Sequence, residues 1–234
     1  MIRFPKYVSN RKSLHELRQL ISSVKDNEKR ITKLLERDKW GKTALHHAVS
    51  QSQEHVEVIL EHLKTDCPAI LDLMKAQDVH GRTAFHHAIT KKPIVPPIVR
   101  VYSIKDLKQQ VATAKPQTAV SYDFNCKPKE TLTYLIKSVG CVGNRRNYEE
   151  LCVILNIQDC YGKTVLHYAA EQGHDYVQII LGLFNPCSCE MLELLKVRDT
   201  LGATVFHCAY GNNEMYGVRI GGRTIAIDDR TSAV

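Results

Sequence analysis

The stretch that decides the fold is Asp159-Cys160-Tyr161-Gly162-Lys163-Thr164-Val165-Leu166-His167-Tyr168-Ala169-Ala170. Its skeleton reads Asp-x-x-Gly-x-Thr-x-Leu-His-x-Ala. Weaker copies, two of them with Phe in place of Leu, begin at Asp38, Asp78 and Asp199. An internal repeat of this kind determines how the rest of a chain is interpreted. The sequence therefore predicts that one supersecondary unit is used at least four times.

This skeleton resembles the ankyrin repeat, a β-turn followed by two antiparallel helices, whose signature is Thr-Pro-Leu-His-x-Ala. The copy at Asp159 also matches that family's start of the second helix, through Ala170, Gly173, His174 and Val177. The signature proline is absent from every copy and is replaced by Ala44, Ala84, Val165 and Val205. The first helix thus lacks a residue suited to its first turn. The resemblance implies an all-α ankyrin-repeat solenoid with four signature repeats.

The spacing of the signature glycines suggests how the repeats are divided. Gly41 and Gly81 lie 40 positions apart, as do Gly162 and Gly202, whereas the family's usual period is about 33. In both long repeats the excess follows the second helix. Apolar residues three and four positions apart predict a short extra helix there, over 67–75 and over 189–196.

The interval between Gly81 and Gly162 is too long for one repeat. The sequence predicts a degenerate fifth repeat starting near 126, with its first helix at 131–136 and its second at 148–155. Prolines interrupt the helical pattern before it, because a proline nitrogen cannot donate to a helix. Residues 93–125 are therefore predicted to be an insertion. Repeats are expected to start near 38, 78, 126, 159 and 199.

The two ends differ from the repeats. Residues 1–12 are predicted to be extended or disordered. Ser13, with Glu16 three positions on, begins a helical pattern that implies a cap over 13–36. The ankyrin-like domain would span 1–210. Residues 211–234 would form a hairpin-like tail, since the pattern at 216–227 alternates around Gly-Gly.

Composition favours a folded protein of the cytoplasm. Hydrophobic residues make up 44% of the chain, and no apolar run reaches the roughly 18 residues of a membrane span. The N-terminal sequence lacks the apolar segment of a secretory signal. The eight cysteines are not regularly spaced, so free thiols in a reducing compartment are expected. Ankyrin arrays also occur in effectors that intracellular bacteria deliver, so the host cytoplasm is an alternative.

The net charge of +7 resides at the N-terminal end. Residues 1–45 contain twelve Lys or Arg and five acidic residues, and the remainder is neutral. This end fits an acidic protein, anionic lipid or nucleic acid. The alternative is a solvated helical face, favoured because no aromatic residues interleave and no nucleic-acid motif accompanies the charges. Membrane and nucleic-acid partners are not expected.

The recurring threonines and histidines are interpreted as structural. By the resemblance, each pair hydrogen-bonds within its repeat and ties it to a neighbouring turn. The pairs are Thr43 and His46, Thr83 and His86, Thr164 and His167, and Thr204 and His207. Adjacent histidines on a helix point in different directions and cannot chelate one metal ion. No metal, cofactor or catalytic residue is predicted, and the protein is expected not to be an enzyme.

Ankyrin stacks bind proteins through their turn tips and first helices, so the residues beside each signature glycine are the candidate binding residues. They are Trp40, Lys42, His80, Arg82, Tyr161, Lys163 and Leu201. They predict one aromatic or apolar row and one basic row. Aromatic residues and Arg are enriched at binding hot spots. The alternative is that the aromatic residues pack on neighbouring turns and the basic ones are simply solvated.

These observations predict a non-catalytic adaptor that binds another protein with an acidic surface, with no small-molecule substrate. Two alternatives stay open. One is an enzyme or effector whose active residues lie in the 93–129 insertion or outside this chain. The other is anionic lipid or nucleic-acid binding by the first 45 residues.

Overall fold

The computed structural model describes residues 4–9, 13–63, 67–90, 128–140, 148–184, 189–210, 217–220 and 223–226. These residues are mostly helical, which confirms the all-α class. The helices are α1 (Phe4–Ser9), α2 (Leu14–Ser23), α3 (Asn27–Leu35), α4 (Ala44–Val49), α5 (Gln53–Glu61), α6 (Cys67–Lys75), α7 (Ala84–Ile89), α8 (Pro128–Gly140), α9 (Tyr148–Leu155), α10 (Val165–Gln172), α11 (His174–Leu181), α12 (Cys189–Lys196) and α13 (Val205–Tyr210).

A turn followed by three helices forms one unit of the structure. The turn at 38–42 leads into α4, α5 and α6, and the turn at 159–163 leads into α10, α11 and α12. The third helix of each unit, α6 or α12, confirms the extra helices predicted after the second helix. The third helix explains why the glycines of these units lie 40 positions apart.

The turns at 78–82 and 159–163 are direct neighbours. The Cys160 N–H donates to the His80 carbonyl at 2.8 Å, as the Val79 N–H donates to the Trp40 carbonyl at 3.0 Å. No turn lies between them, so the predicted fifth repeat starting near 126 is wrong. The helices expected to form it, α8 and α9, instead complete the unit that begins at Asp78.

The helices lie in three rows. The first helices follow one another as α1, α4, α7, α10 and α13, and the second helices as α2, α5, α8 and α11. The third helices contact one another in the order α3, α6, α9 and α12. Because α8 lies between α5 and α11, and α9 lies between α6 and α12, the middle unit has the same three-helix form as its neighbours.

The N-terminal cap has one helix in each row. The predicted capping box begins α2, where the Glu16 N–H donates to Ser13 Oγ at 3.3 Å. The expectation that residues 1–12 are extended or disordered is wrong for Phe4–Ser9, which form α1 against α4. Phe4 and Val8 are buried. Six residues are too few to show a helical period, so the sequence pattern missed this helix.

Two strands lie near the C-terminal end. Strand β1 (Gly217–Ile220) pairs antiparallel with β2 (Arg223–Ala226), with Val218 opposite Ile225. Strand β1 contacts α11 and so lies where the last unit would have its second helix. Both strands fall within the segment 216–227 for which the sequence predicts a hairpin. The predicted insertion at 93–125 lies outside the described residues.

One apolar cluster runs through all three rows. It joins cap residues such as Leu17 and Leu34 to the first helices at Leu45, Phe85 and Leu166. These side chains are buried and belong to one cluster that extends from the cap through the units. A repeated unit of this size cannot bury its apolar face alone, so the neighbouring units share one core.

Candidate functional site

Each turn is organised by the aspartate that begins it. Oδ1 of Asp38 accepts the N–H of Trp40 at 2.8 Å and the N–H of Lys42 at 2.9 Å. Oδ1 atoms of Asp78, Asp159 and Asp199 accept the corresponding two N–H groups at 2.8–3.1 Å. The carboxylate thus fixes the residues on both sides of the signature glycine. These are the residues predicted to form the binding surface.

A residue nine positions after the aspartate binds its second oxygen. Nε2 of His47 donates to Asp38 Oδ2 at 2.8 Å, and His87 donates to Asp78 at 2.9 Å. In the third unit the hydroxyl of Tyr168 donates to Asp159 Oδ2 at 2.6 Å. Burial lowers the pKa of His47 and of His87, so each ring donates to the carboxylate as neutral imidazole.

The signature histidines connect adjacent units. Nδ1 of His46 accepts the Thr43 N–H at 3.1 Å, and its Nε2 donates to the Arg82 carbonyl of the next unit at 3.0 Å. His86 and His167 repeat the arrangement, with the carbonyls of Lys163 and Ala203 as acceptors at 3.3 Å. Each of the four threonines also bonds its histidine through Oγ1 at 2.7–3.0 Å.

Burial holds these histidines neutral. It lowers the pKa of His46 to about 3 and that of His86 to about 4, and it also lowers the pKa of His167. A neutral ring has one donor and one acceptor, and both are used here. Their ring nitrogens are therefore already engaged in bonds within the protein.

The four turns form a continuous backbone ladder. In addition to the bonds donated by Val79 and Cys160, the Thr200 N–H donates to the Tyr161 carbonyl at 2.9 Å. The two outermost residues of each turn therefore lie in two adjacent columns along the molecule. We call these eight residues the tip row: Lys39, Trp40, Val79, His80, Cys160, Tyr161, Thr200 and Leu201.

Apolar side chains of the tip row are exposed. Trp40 is 54% exposed, Val79 is 58% exposed and Leu201 is 90% exposed. His80 and Tyr161 are half-buried. The large apolar residues exposed elsewhere in the described part of the chain are Val153 and Leu192, on the third-helix row. Of the predicted aromatic or apolar row, the structure thus presents Trp40 and Leu201 most fully.

The predicted basic row does not face solvent as one surface. Arg82 is buried, with its Nε 3.8 Å from Asp159 Oδ2 of the next unit. Lys42 is partly buried, and burial lowers its pKa. Lys163 binds the carboxylate of Glu171. The expectation that Arg82 belongs to an exposed basic row is therefore not met, because its side chain turns inward toward the Asp159 carboxylate.

Two features of the site were missed by the sequence analysis. Val79 is part of the exposed apolar surface, whereas the sequence pattern indicated His80 beside it. The glutamine before Asp78 and the glutamine before Asp159 also link units: Gln158 Nε2 donates to the Gly162 carbonyl at 2.6 Å and to the Arg198 carbonyl at 2.9 Å. Gln77 makes the equivalent pair of bonds. The repetition of Gln at 77 and 158 was the signal available in the sequence.

Three cations of helix α3 in the N-terminal cap have local partners. Nζ of Lys29 lies 3.2 Å from Asp26, and Arg30 donates to Asn27 at 2.6 Å. Nζ of Lys33 lies 5.8 Å from the Phe4 ring centre. These interactions fit the interpretation of this face as a solvated helical surface.

A hollow of about 430 Å³ lies between the second helices α5 and α8. Its lining residues are Gln53, Lys129, Glu130, Thr133, Tyr134 and Lys137. Lys129 binds the carboxylate of Asp175. None of the residues predicted from the sequence as binding or signature residues lines this hollow.

One alternative places active residues in the 93–129 insertion. Of that segment, the structure describes only residues 128 and 129.

Within the described ranges, no group of three or more His, Cys, Asp or Glu side chains is arranged to hold a metal ion. No helix among the described residues has both the length and the apolar character needed to cross a bilayer. No family model matches the chain, and no curated protein matches it.

Proposed function

We propose that the protein is a non-catalytic ankyrin-repeat module that binds another protein through its tip row. The observation that carries this proposal is the alignment of exposed Trp40, Val79 and Leu201 along one hydrogen-bonded ladder. Large apolar side chains that are exposed together on a protein surface often mark an interaction site. The ankyrin assignment is supported by the turn-and-helix unit and by the recurring Thr and His.

The rigidity of the tips favours binding. In the second turn, the N–H groups of Val79, His80 and Arg82 are all bonded, to the Trp40 carbonyl or to Asp78. A surface that is already ordered loses little conformational entropy when a partner docks. Modest contacts by a few anchors are then sufficient for specific association.

The inward position of Arg82 changes the expectation about the partner. The sequence favours an acidic partner because a cation follows the glycine in three turns. In the structure Arg82 and Lys163 are paired with Asp159 and Glu171. We therefore base recognition on the apolar tips, with an acidic surface on the partner no longer required.

The module is proposed to act in the cytoplasm, of a host cell if the chain is a delivered effector. Four described cysteines, Cys152, Cys160, Cys189 and Cys208, are free thiols. Free thiols are typical of a reducing compartment.

The proposal is tested by removing the tips. A variant with Trp40→Ala, Tyr161→Ala and Leu201→Ala should lose at least about tenfold in partner capture, since hot-spot truncations typically have such effects. Capture is measured by quantitative mass spectrometry with the tagged protein as bait in the source cell's lysate. Circular dichroism verifies that the variant is folded.

The matched control is Val153→Ala with Leu192→Ala, which removes exposed apolar side chains from the third-helix row. This variant should retain every partner that the wild type captures. If the tip variant retains its partners and the control loses them, the binding surface is the third-helix row and the proposal is wrong.

A further inference from the structure

Seven of the eight backbone N–H groups of the tip row, all but that of Lys39 at its first position, are bonded within the protein. The N–H groups of Val79, Cys160 and Thr200 are bonded to the preceding turn. In each turn, the carboxylate accepts the N–H of the residue before the glycine and of the residue after it. An extended peptide that adds to a protein as a strand gains its affinity from such donors. A partner must therefore satisfy its own backbone, as an α-helix does.

The tip row also contains little free charge. None of its eight residues is acidic, and Lys39 is the residue among them that carries a permanent positive charge. Nζ of Lys39 lies 5.0 Å from the Trp40 ring centre, at one end of the row. Of the three cations one position beyond the glycines, Arg82 is buried beside Asp159, Lys163 is paired with Glu171, and Lys42 is partly buried. The matching surface on a partner is therefore an uncharged, apolar stripe.

The spacing of the tips matches a helix. The two columns of one turn are consecutive residues, about 3.8 Å apart, and hydrogen-bonded columns of neighbouring turns lie about 4.8 Å apart, so the tips recur about every 9 Å. The first helices, packed side by side at about 8–10 Å, give the same spacing. Helix residues seven positions apart are separated by about 10.5 Å along the axis. Four turns thus accommodate about three heptads of a helix.

We propose that the tip row binds an amphipathic α-helix of a protein partner, whose apolar residues repeat every seven positions and whose stripe is uncharged. This inference rests on the proposed function, since it specifies the partner of the same surface. Trp40, Val79 and Leu201 contact the apolar stripe, and the helix axis runs along the ladder. Binding depends little on salt.

The test uses the full chain and synthetic peptides. Trp40 is the single tryptophan of the chain, so its fluorescence reports on the tip row directly. The probe is an acetylated, amidated peptide of about 24 residues, long enough at 1.5 Å per residue to span the row. It carries Leu at heptad positions a and d, with equal numbers of Lys and Glu elsewhere.

Two control peptides separate the features of the proposal. One has the same sequence except for proline at two central positions, which prevents helix formation. The other is helical and acidic and has no apolar stripe. The stripe peptide should shift the Trp40 emission to shorter wavelength, and both control peptides should bind at least about tenfold more weakly. Its affinity should change less than about threefold between about 50 mM and about 500 mM salt, because few exposed charges take part.

The outcomes distinguish this inference from the proposed function. Preferential binding of the acidic peptide, equal binding of the proline peptide, or no binding of the stripe peptide would overturn the helix proposal. Val79→Ala with Leu201→Ala, which keeps the Trp40 reporter, should weaken binding of the stripe peptide at least about tenfold, and Val153→Ala with Leu192→Ala should leave it unchanged. If partner capture by the tagged protein does not depend on the tips, the proposed function itself fails.

Discussion

Each signature histidine serves two units through its two ring nitrogens. In His86, Nδ1 accepts from Thr83 of its own unit and Nε2 donates to the Lys163 carbonyl of the next. Loss of the ring leaves buried polar groups without partners, and such groups are costly in an apolar interior. His207 makes the same bonds to Thr204 but is exposed, at the end of the described turns.

The pair His86 and His207 therefore offers a matched comparison. His86→Ala should lower the free energy of unfolding by about 3–4 kcal/mol, because burial, the cap and the link between units are all lost. His207→Ala should lower it by about 1 kcal/mol, the typical effect of losing a helix cap. Urea denaturation followed by circular dichroism measures both. Equal losses would show that the link to Lys163 contributes nothing.

Neutral buried histidines also make stability depend on pH. The folded pKa values of His46 and His86 are about 3 and about 4, below the ordinary value of about 6.5. Below pH 6.5 the unfolded chain therefore binds protons that the folded chain does not. The stability that the two neutral histidines contribute is complete above pH 6.5. Below that pH it decreases by up to about 1.4 kcal/mol per pH unit for each histidine.

Urea midpoints measured between about pH 7 and about pH 4.5 should fall accordingly. His86→Asn keeps a neutral polar side chain and should flatten the dependence. The Asp38 and Asp78 carboxyls are separate. Burial alone would raise the pKa values of these two carboxyls, but their bonds to His47, His87 and backbone N–H groups lower them overall. The stability that the two carboxylates contribute is therefore lost only below about pH 3.8. A flat profile from pH 7 to 4.5 in the wild type would contradict the buried, neutral state.

At the scale of elements, the turns rather than the helices fix how units join. Gly162 has φ 71°, a conformation that favours glycine. A Cβ built there would lie 2.8 Å from the Thr200 nitrogen of the next turn. Gly202 has φ 79°, yet a Cβ there would meet nothing within 4 Å. In the first three turns the signature glycine both adopts a left-handed conformation and leaves room for the next turn, whereas in the last turn it only adopts the conformation.

Alanine substitution separates these roles. Gly202→Ala should cost about 1–2 kcal/mol, the strain of a left-handed residue. Gly162→Ala adds a collision with backbone atoms, so it should cost at least about 2 kcal/mol more. Thermal or urea unfolding of the two variants provides the comparison. Similar losses would mean that the neighbouring turn moves aside easily, and that the ladder is weaker than its hydrogen bonds suggest.

At the scale of the whole molecule, the described chain consists of four turns, three rows of helices and one pair of strands. Thr90 ends the first helix of the middle unit and α8 supplies its second helix, so residues 91–127 separate two consecutive helices of one unit. In the neighbouring units this connection is a few residues long. Long insertions in such connections have small thermodynamic effects.

The four-unit arrangement predicts that residues 91–127 are dispensable for folding. Joining Thr90 to Pro128 through about three residues should keep the helical content and change the free energy of unfolding by less than about 1 kcal/mol. Circular dichroism and urea unfolding test this. Collapse of the fold would contradict the arrangement. Loss of partner capture by a folded deletion variant would instead support the alternative that activity resides in the insertion.

Within a unit, the sequence by itself was informative. The turn at Asp159, its carboxylate bonds and the cap from Thr164 to His167 all join residues within nine positions. These interactions are local, and the repeated Thr and His predicted the cap. The bonds of the aspartate were not predicted, although the aspartate repeats in the same way. The extra helices α6 and α12 were predicted as well, because their apolar spacing is visible in the chain.

Between units, only the tertiary structure determined which side chains are buried and which helices are neighbours. The burial of Arg82 depends on Asp159, 77 positions away, and the place of α8 depends on contacts with α5 and α11. Residue type after the glycine does not reveal whether a side chain turns outward or inward, because that depends on the charge that the next unit supplies. A spacing of 81 between glycines is equally compatible with an extra unit or an insertion until packing between units is known.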